Sequence, residues 1–152
     1  MSARTFSLDA NVERRLAARL FNRVWELLEQ ADRTVVDDDE MLHAAHASRH
    51  HWGQVGEPVN WARGEWQCSR VYASLGRAEP SLHHGLRCLE LAQQHDLSSF
   101  DVGTAHEAIA RAAKLAGLDD QAAKHAALAL AQAEQLTEDE ERQILLSDIA
   151  SL

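Results

Sequence analysis

Cysteine is nearly absent: only Cys68 and Cys88 occur, without CxxC spacing, and both fall in helix-like segments. Two reduced packing thiols are therefore expected rather than a functional pair. Positive charge is short as well, with 15 Lys and Arg against 24 Asp and Glu and a formal net charge of −9. The acidic residues gather in runs such as Asp37–Glu40 and Glu138–Glu141. That balance argues against a general nucleic-acid binder, which needs a basic face to displace counterions from phosphates. No apolar run approaches the roughly 20 residues that span a bilayer, and residues 1–7 show no long apolar core or small-residue cleavage site. A cytoplasmic protein without a membrane partner is the expectation. The β-branched residues that build strands are sparse, the one notable run being Thr34-Val35-Val36. Glycine-rich phosphate loops, GxSxG elbows and dinucleotide fingerprints are missing too, which points to a binding protein rather than an enzyme.

What the chain does have is alanine, leucine, glutamate, glutamine and arginine, the residues that pay least to become helical. Over 9–31, Val12, Leu16, Leu20, Val24, Leu27 and Leu28 recur at steps of three and four and predict one apolar helical stripe. A second helix is expected from Asp37, whose carboxylate can accept first-turn amides, to Val55, before Gly56 and Pro58. Pro58 suits the first turn of a third, ending at Gly76. A fourth runs from about Pro80 to His95. A fifth opens on a Ser98/Asp101 capping box and stops at Gly117, and a sixth covers 120–135. A seventh starts at Thr137 with Glu140 as its capping partner. Connections of a few residues force neighbours to run antiparallel. At 152 residues a single domain is expected, with helix pairs over 9–56, 58–95 and 99–135 and a cap helix over 137–152.

Segments 75–91 and 116–132 repeat one pattern: a turn glycine, then small residues five and twelve positions later, Ser81 and Cys88 in one, Ala122 and Ala129 in the other. The two glycines stand 41 residues apart, a period at which helix pairs stack into solenoids. Together with Tyr72, Leu75, Gly76 and Leu91, this pattern resembles the tetratricopeptide repeat (TPR) in a long-helix form familiar from bacterial regulatory proteins. The chain departs from that family in carrying Ser69 at the small position of the first helix, Gly85 and Ala126 where a large aromatic is usual, and no repeat-ending proline. The run from Trp52 to Trp66 also looks like an uncharacterised bacterial family of short repeat proteins. The resemblance implies an all-α, TPR-like right-handed solenoid of about seven helices, a C-terminal capping helix, and a concave groove for a peptide. It also implies a small adaptor or regulatory scaffold. Its first pair, lacking a cap, is expected to expose its stripe or pair it with a second copy as a homodimer.

By that resemblance the groove is lined by Arg63, Trp66 and Arg70 and by Thr104, Glu107, Arg111 and Lys114. Guanidinium groups grip carboxylates in two-pronged fashion and an indole adds a flat platform, so an acidic or C-terminal peptide is the expected ligand. Against this stands ordinary pairing of Arg63 and Arg70 with Glu57, Glu65, Glu26 or Glu29. The clamp of chaperone-binding relatives is not reproduced, since Asn22 and Glu26 occupy the corresponding stretch. The alternative is a metal-binding protein or metal-dependent enzyme using His43, His46, His50 and His51 with a divalent transition metal, because His46 and His50 have the four-residue step of a chelating pair. On the helical wheel, however, His43, His46 and His50 fall opposite Met41, Ala45, Trp52 and Val55, the expected buried side. Titration of the histidines is a third use. His83 and His84 are explained as well by packing. For acid–base chemistry the best seed is Glu65 beside Arg70 and Tyr72.

Overall fold

The computed structural model describes residues 7–152, so the expectation placed on the N-terminal run lies largely outside the described residues. Among the described residues seven helices follow one another: α1 (Ala10–Glu29), α2 (Val35–Val55), α3 (Pro58–Ser74), α4 (Ala78–Gln94), α5 (Ser99–Leu115), α6 (Asp119–Gln135) and α7 (Asp139–Ala150). There is no strand among the described residues. No helix among them is long and apolar enough to cross a membrane.

Three helices, α1, α2 and α5, start where a cap side chain takes up orphan amides. Asp9 accepts from the amides of Asn11 and Val12 at 3.0 and 3.1 Å. α2 begins two residues before the predicted Asp37: Thr34 is the cap, Asp37 is the reciprocal third residue of the box, and Val35 and Val36 form an exposed first turn. At α3, Pro58 takes the first position, where its missing N–H costs nothing. Ser98 caps α5 through the Asp101 amide at 3.2 Å. Asp101 does not return the bond to the Ser98 backbone but accepts from its hydroxyl at 2.8 Å. The expected Thr137/Glu140 box at α7 does not form. Glu138 is the cap there, without a side-chain bond, and three acidic residues in the first turn suit the helix dipole instead.

Three helix ends share one turn. The amides of Arg77, Leu97 and Leu118 reach back to the carbonyls of Tyr72, Ala92 and Ala113, each at 2.9 Å, the longer bond of a Schellman cap. Its left-handed position is held by Gly76 (φ 72°), Gly117 (φ 76°) and, in α4, Asp96 (φ 49°). Only Asp96 carries a Cβ and a negative charge at that carbonyl-rich end. Asp96→Gly is therefore expected to stabilise the protein by about 0.5–1 kcal/mol, read as a higher urea midpoint with an unchanged slope.

Consecutive helices pack on each other, and a second set of contacts links α1 to α3, α3 to α5 and α5 to α7. The odd-numbered helices thus form one continuous face, and the even-numbered helices are each set between two odd neighbours. Small residues allow this closeness. Ser69 and Ser81 donate their hydroxyls to each other's backbone carbonyls, both at 2.8 Å, clasping α3 to α4. Gly85 fits against Ile109 of α5. At Gly103 a Cβ would lie 2.5 Å from Leu145 and 3.1 Å from Gln132, so α5, α6 and α7 meet over a bare backbone. Cys68 and Cys88 are buried and unpaired, and burial pushes the Cys68 thiol up to about 12, so both are packing residues.

The α1 stripe is only half covered. Val24 and Leu27 are buried, whereas Val12 and Leu16 are 44% and 36% exposed. The end of α1 near its N-terminus turns Glu13 and Ala17 toward α2 instead, where Glu13 meets His51 at 3.0 Å and the Ala17 carbonyl accepts from Ser48 at 2.8 Å.

Candidate functional site

The expected groove residues lie on α3 and α5, helices of the continuous odd-numbered face. Steps of three and four put Arg63, Trp66 and Arg70 on one side of α3, and Thr104, Glu107, Arg111 and Lys114 on one side of α5. Two clefts open there. One, of about 240 Å3, is walled by Phe21 and Trp25 from α1, Trp66 from α3, Phe100 from α5 and Ile144 from α7. Arg63, Asp101, Thr104 and Asp148 border it. The second, of about 540 Å3, is lined by Arg70, Arg111 and Lys114, with Ser151 and Leu152 following α7.

The aromatic wall is a packed series. Phe21 meets Trp25 edge-on at 6.5 Å between ring centres, and Trp25 lies 5.3 Å from Trp66. Trp66 is 8% exposed, and its buried Nε1–H has no acceptor among the described residues. Arg63 donates its Nε–H to Asp101 at 2.8 Å and holds its guanidinium 5.9 Å from the Phe100 ring.

Between the clefts lies a charge network centred on Glu107, which is 1% exposed. Arg111 donates to it through Nε at 2.8 Å and Arg70 through Nη1 at 3.3 Å. Arg70 also approaches Asp148 at 3.6 Å, and Arg111 reaches the Asp148 carbonyl and the Ser151 hydroxyl at 3.1 and 2.7 Å. Burial raises the Glu107 carboxyl above the ordinary glutamate range despite the two guanidinium groups. The arginines are paired, but not with the carboxylates anticipated. Arg63 and Arg70 face α5 and α7, so their partners are Asp101, Glu107 and Asp148 rather than Glu26, Glu29, Glu57 or Glu65. Glu107 likewise is buried between the two clefts rather than an open lining residue. Lys114 is exposed on the rim.

The histidine cluster of α2 divides. His43 and His50 are exposed, and His51 pairs with Glu13. His46 turns inward, its Nε2 2.8 Å from the Tyr72 hydroxyl and its ring 5.3 Å from His84. The expectation that all three wheel-aligned histidines face away from the core fails at His46, because α2 is flanked by both α1 and α3 and buries two sides. Among the described residues no group of three or more His, Cys, Asp or Glu side chains converges as metal ligands do.

Glu65 is also placed otherwise than expected. Five residues separate it from Arg70, which on a helix sends the two to different sides, whereas Tyr72, seven away, shares its side. Glu65 accepts from Arg49 at 3.0 Å and meets His84 Nδ1 at 2.6 Å, while Tyr72 stacks on His84. Burial opposes ionisation of Glu65, but the bond from His84 and the Arg49 charge prevail and hold its carboxyl low. The group seals the α2–α3–α4 seam, each member satisfying the next.

A second histidine pair, unforeseen from the sequence, joins α5 to α6: His106 and His125 meet Nδ1 to Nδ1 at 2.9 Å. One ring must donate and the other accept, so the pair holds only while at least one is neutral. Burial, then the charges of His125 and Lys124, bring His106 down to about 4, and His125 is lowered as well. Well above pH 6.5 neither the folded nor the unfolded chain carries these protons. Below it the unfolded chain takes them up first, so stability falls as pH drops toward 4. We expect a loss on the order of 2 kcal/mol from this pair between pH 7 and pH 4.5, and a shallower acid limb in His106→Gln, measured by urea unfolding across that range.

No protein-family model matches this sequence, and neither a curated protein nor a solved structure matches it.

Proposed function

We propose that this chain is a TPR-like repeat module, a short right-handed solenoid closed by α7, which holds a peptide segment of a partner protein in a concave groove on its odd-numbered face. The observation that carries this reading is the pair of adjoining clefts, one aromatic and one cationic, built from helices α1, α3, α5 and α7. An aromatic recess gives a peptide an apolar anchor, and a neighbouring set of arginine and lysine side chains gives it charge and register. In this reading the protein is a cytoplasmic adaptor or regulatory scaffold without a cofactor. A second copy covers the bare start of α1, where Val12 and Leu16 lie exposed beside Arg15 and Arg19.

Charge reversal at Arg70 or Arg111 is a poor test, because both support buried Glu107. Thr104→Arg, which fills the aromatic cleft, and Lys114→Glu, on the rim, probe the groove without dismantling it. Partner recovery by crosslinking in the native cell is expected to fall several-fold in both, with unchanged circular dichroism. Undiminished recovery with Thr104→Arg ends the groove reading.

A further inference from the structure

The two clefts differ in chemistry and adjoin at fixed spacing, which restricts what can occupy them. The aromatic cleft, about 240 Å3, is smaller than the roughly 300–1,000 Å3 of small-molecule sites and suits one large side chain. Its wall includes the Trp66 indole, an apolar platform for that side chain. The cationic cleft has three positive side chains and no acidic side chain in its immediate lining, on a protein whose net charge is −9. Its walls are mainly helix sides, whose amides are spent within the helices. It offers side-chain cations rather than the backbone nest that captures a free C-terminus, which favours an Asp or Glu side chain.

Trp66 and Arg70 set the distance between the two subsites. Four residues of helix carry them about 6 Å apart along α3. An extended peptide advances roughly 3.3 Å per residue, so about two residues cover that gap.

Resting on the groove reading above, we infer that the groove recognises an extended acidic peptide in which a bulky apolar side chain, seated against Trp66, stands two residues from an Asp or Glu that meets Arg70, Arg111 and Lys114. The apolar side chain enters between Trp25 and Phe100, and the carboxylate shares the guanidinium groups already ordered by Glu107.

The test is a selection of phage-displayed random dodecapeptides on the intact protein, with a parallel selection on Thr104→Arg. The expected result is enrichment of sequences with a Leu, Met, Phe or Trp two positions from Asp or Glu, absent from the Thr104→Arg selection. Synthetic versions should bind with a salt-sensitive change in tryptophan fluorescence. Replacing the Asp or Glu by Lys should abolish binding. Enriched peptides that Thr104→Arg loses but that lack this spacing overturn the inference and leave the groove standing. Dependence on a free C-terminal carboxylate alone overturns it in the same way. No enrichment, or enrichment indifferent to Thr104→Arg, overturns both.

Discussion

Glu107→Ala is expected to lower the free energy of unfolding by about 3 kcal/mol, the largest effect of any polar substitution in the groove. The carboxylate accepts from Arg70 of α3 and Arg111 of α5, and both arginines continue to α7 through Asp148, so one side chain joins three helices. Alanine leaves a cavity and two guanidinium groups without their shared acceptor. Glu107→Gln should cost far less, about 1 kcal/mol. The raised carboxyl shows that burial already outweighs the attraction of the arginines, so the negative charge itself adds little. Gln keeps an oxygen in place, and Arg70 and Arg111, partly open to the cleft, can hydrate. The sign is checkable. A carboxyl raised on folding binds its proton more tightly in the folded chain, so its contribution to stability declines as pH rises through its folded value, and Glu107→Gln should lack that decline. Urea unfolding of both variants from pH 4 to 8 measures it. A Gln variant as unstable as Ala would show that charge, not hydrogen bonding and volume, governs the junction.

Helix positions were legible in the sequence because capping and turn chemistry is local. Asp9, Pro58, Ser98, Gly76 and Gly117 each act within a few residues of themselves, and each does what its type predicts. The misplaced starts of α2 and α7 are local misreadings of the same kind, where Thr34 outcompeted Asp37 and Glu138 displaced Thr137. What helix periodicity alone did not yield was the direction in which a polar side chain leaves its helix. Arg63, Arg70 and Glu65 were matched to neighbours along or near their own helices, but all three are settled by helices that pack across them.

A signal for part of this is present in the sequence. In an antiparallel hairpin, residues nearly equidistant from the turn meet. Glu65 and His84, separated by 19 residues about the turn at Gly76, are one such pair. His106 and His125, also separated by 19 about Gly117, are the other, and they occupy the same place one 41-residue period later. Arg70 and Arg111 are related by the same period, and both bind Glu107. Folding the sequence at its two glycines would have paired the histidines. It would not have found the Arg63–Asp101 bond or the aromatic cleft, because those arise between hairpins, where the relative placement follows from packing rather than from a turn.

Leu145→Ala is expected to cost about 3 kcal/mol, because Leu145 is fully buried and rests on the bare backbone of Gly103. The consequence for the groove exceeds the consequence for the fold. α7 packs on α5 and α6 and reaches α3 through the Arg70–Asp148 approach, so it can loosen while the preceding helices stay packed. It supplies Ile144 and Asp148 to the aromatic cleft and the backbone carbonyl that fixes Arg111. Hydrogen exchange in Leu145→Ala should therefore rise first in 139–150 and leave α3 protected, and any peptide held in the groove should be lost before helicity is. Gly103→Ala presses on the same contact from the opposite side, its new methyl lying 2.5 Å from a Leu145 methyl carbon, and should cost about 1–2 kcal/mol. Combining the two changes removes the clash and partly fills the void. The double variant should thus be more stable than the sum of the single losses by about 1 kcal/mol. Strict additivity would mean that α7 is not seated on α5 through Leu145.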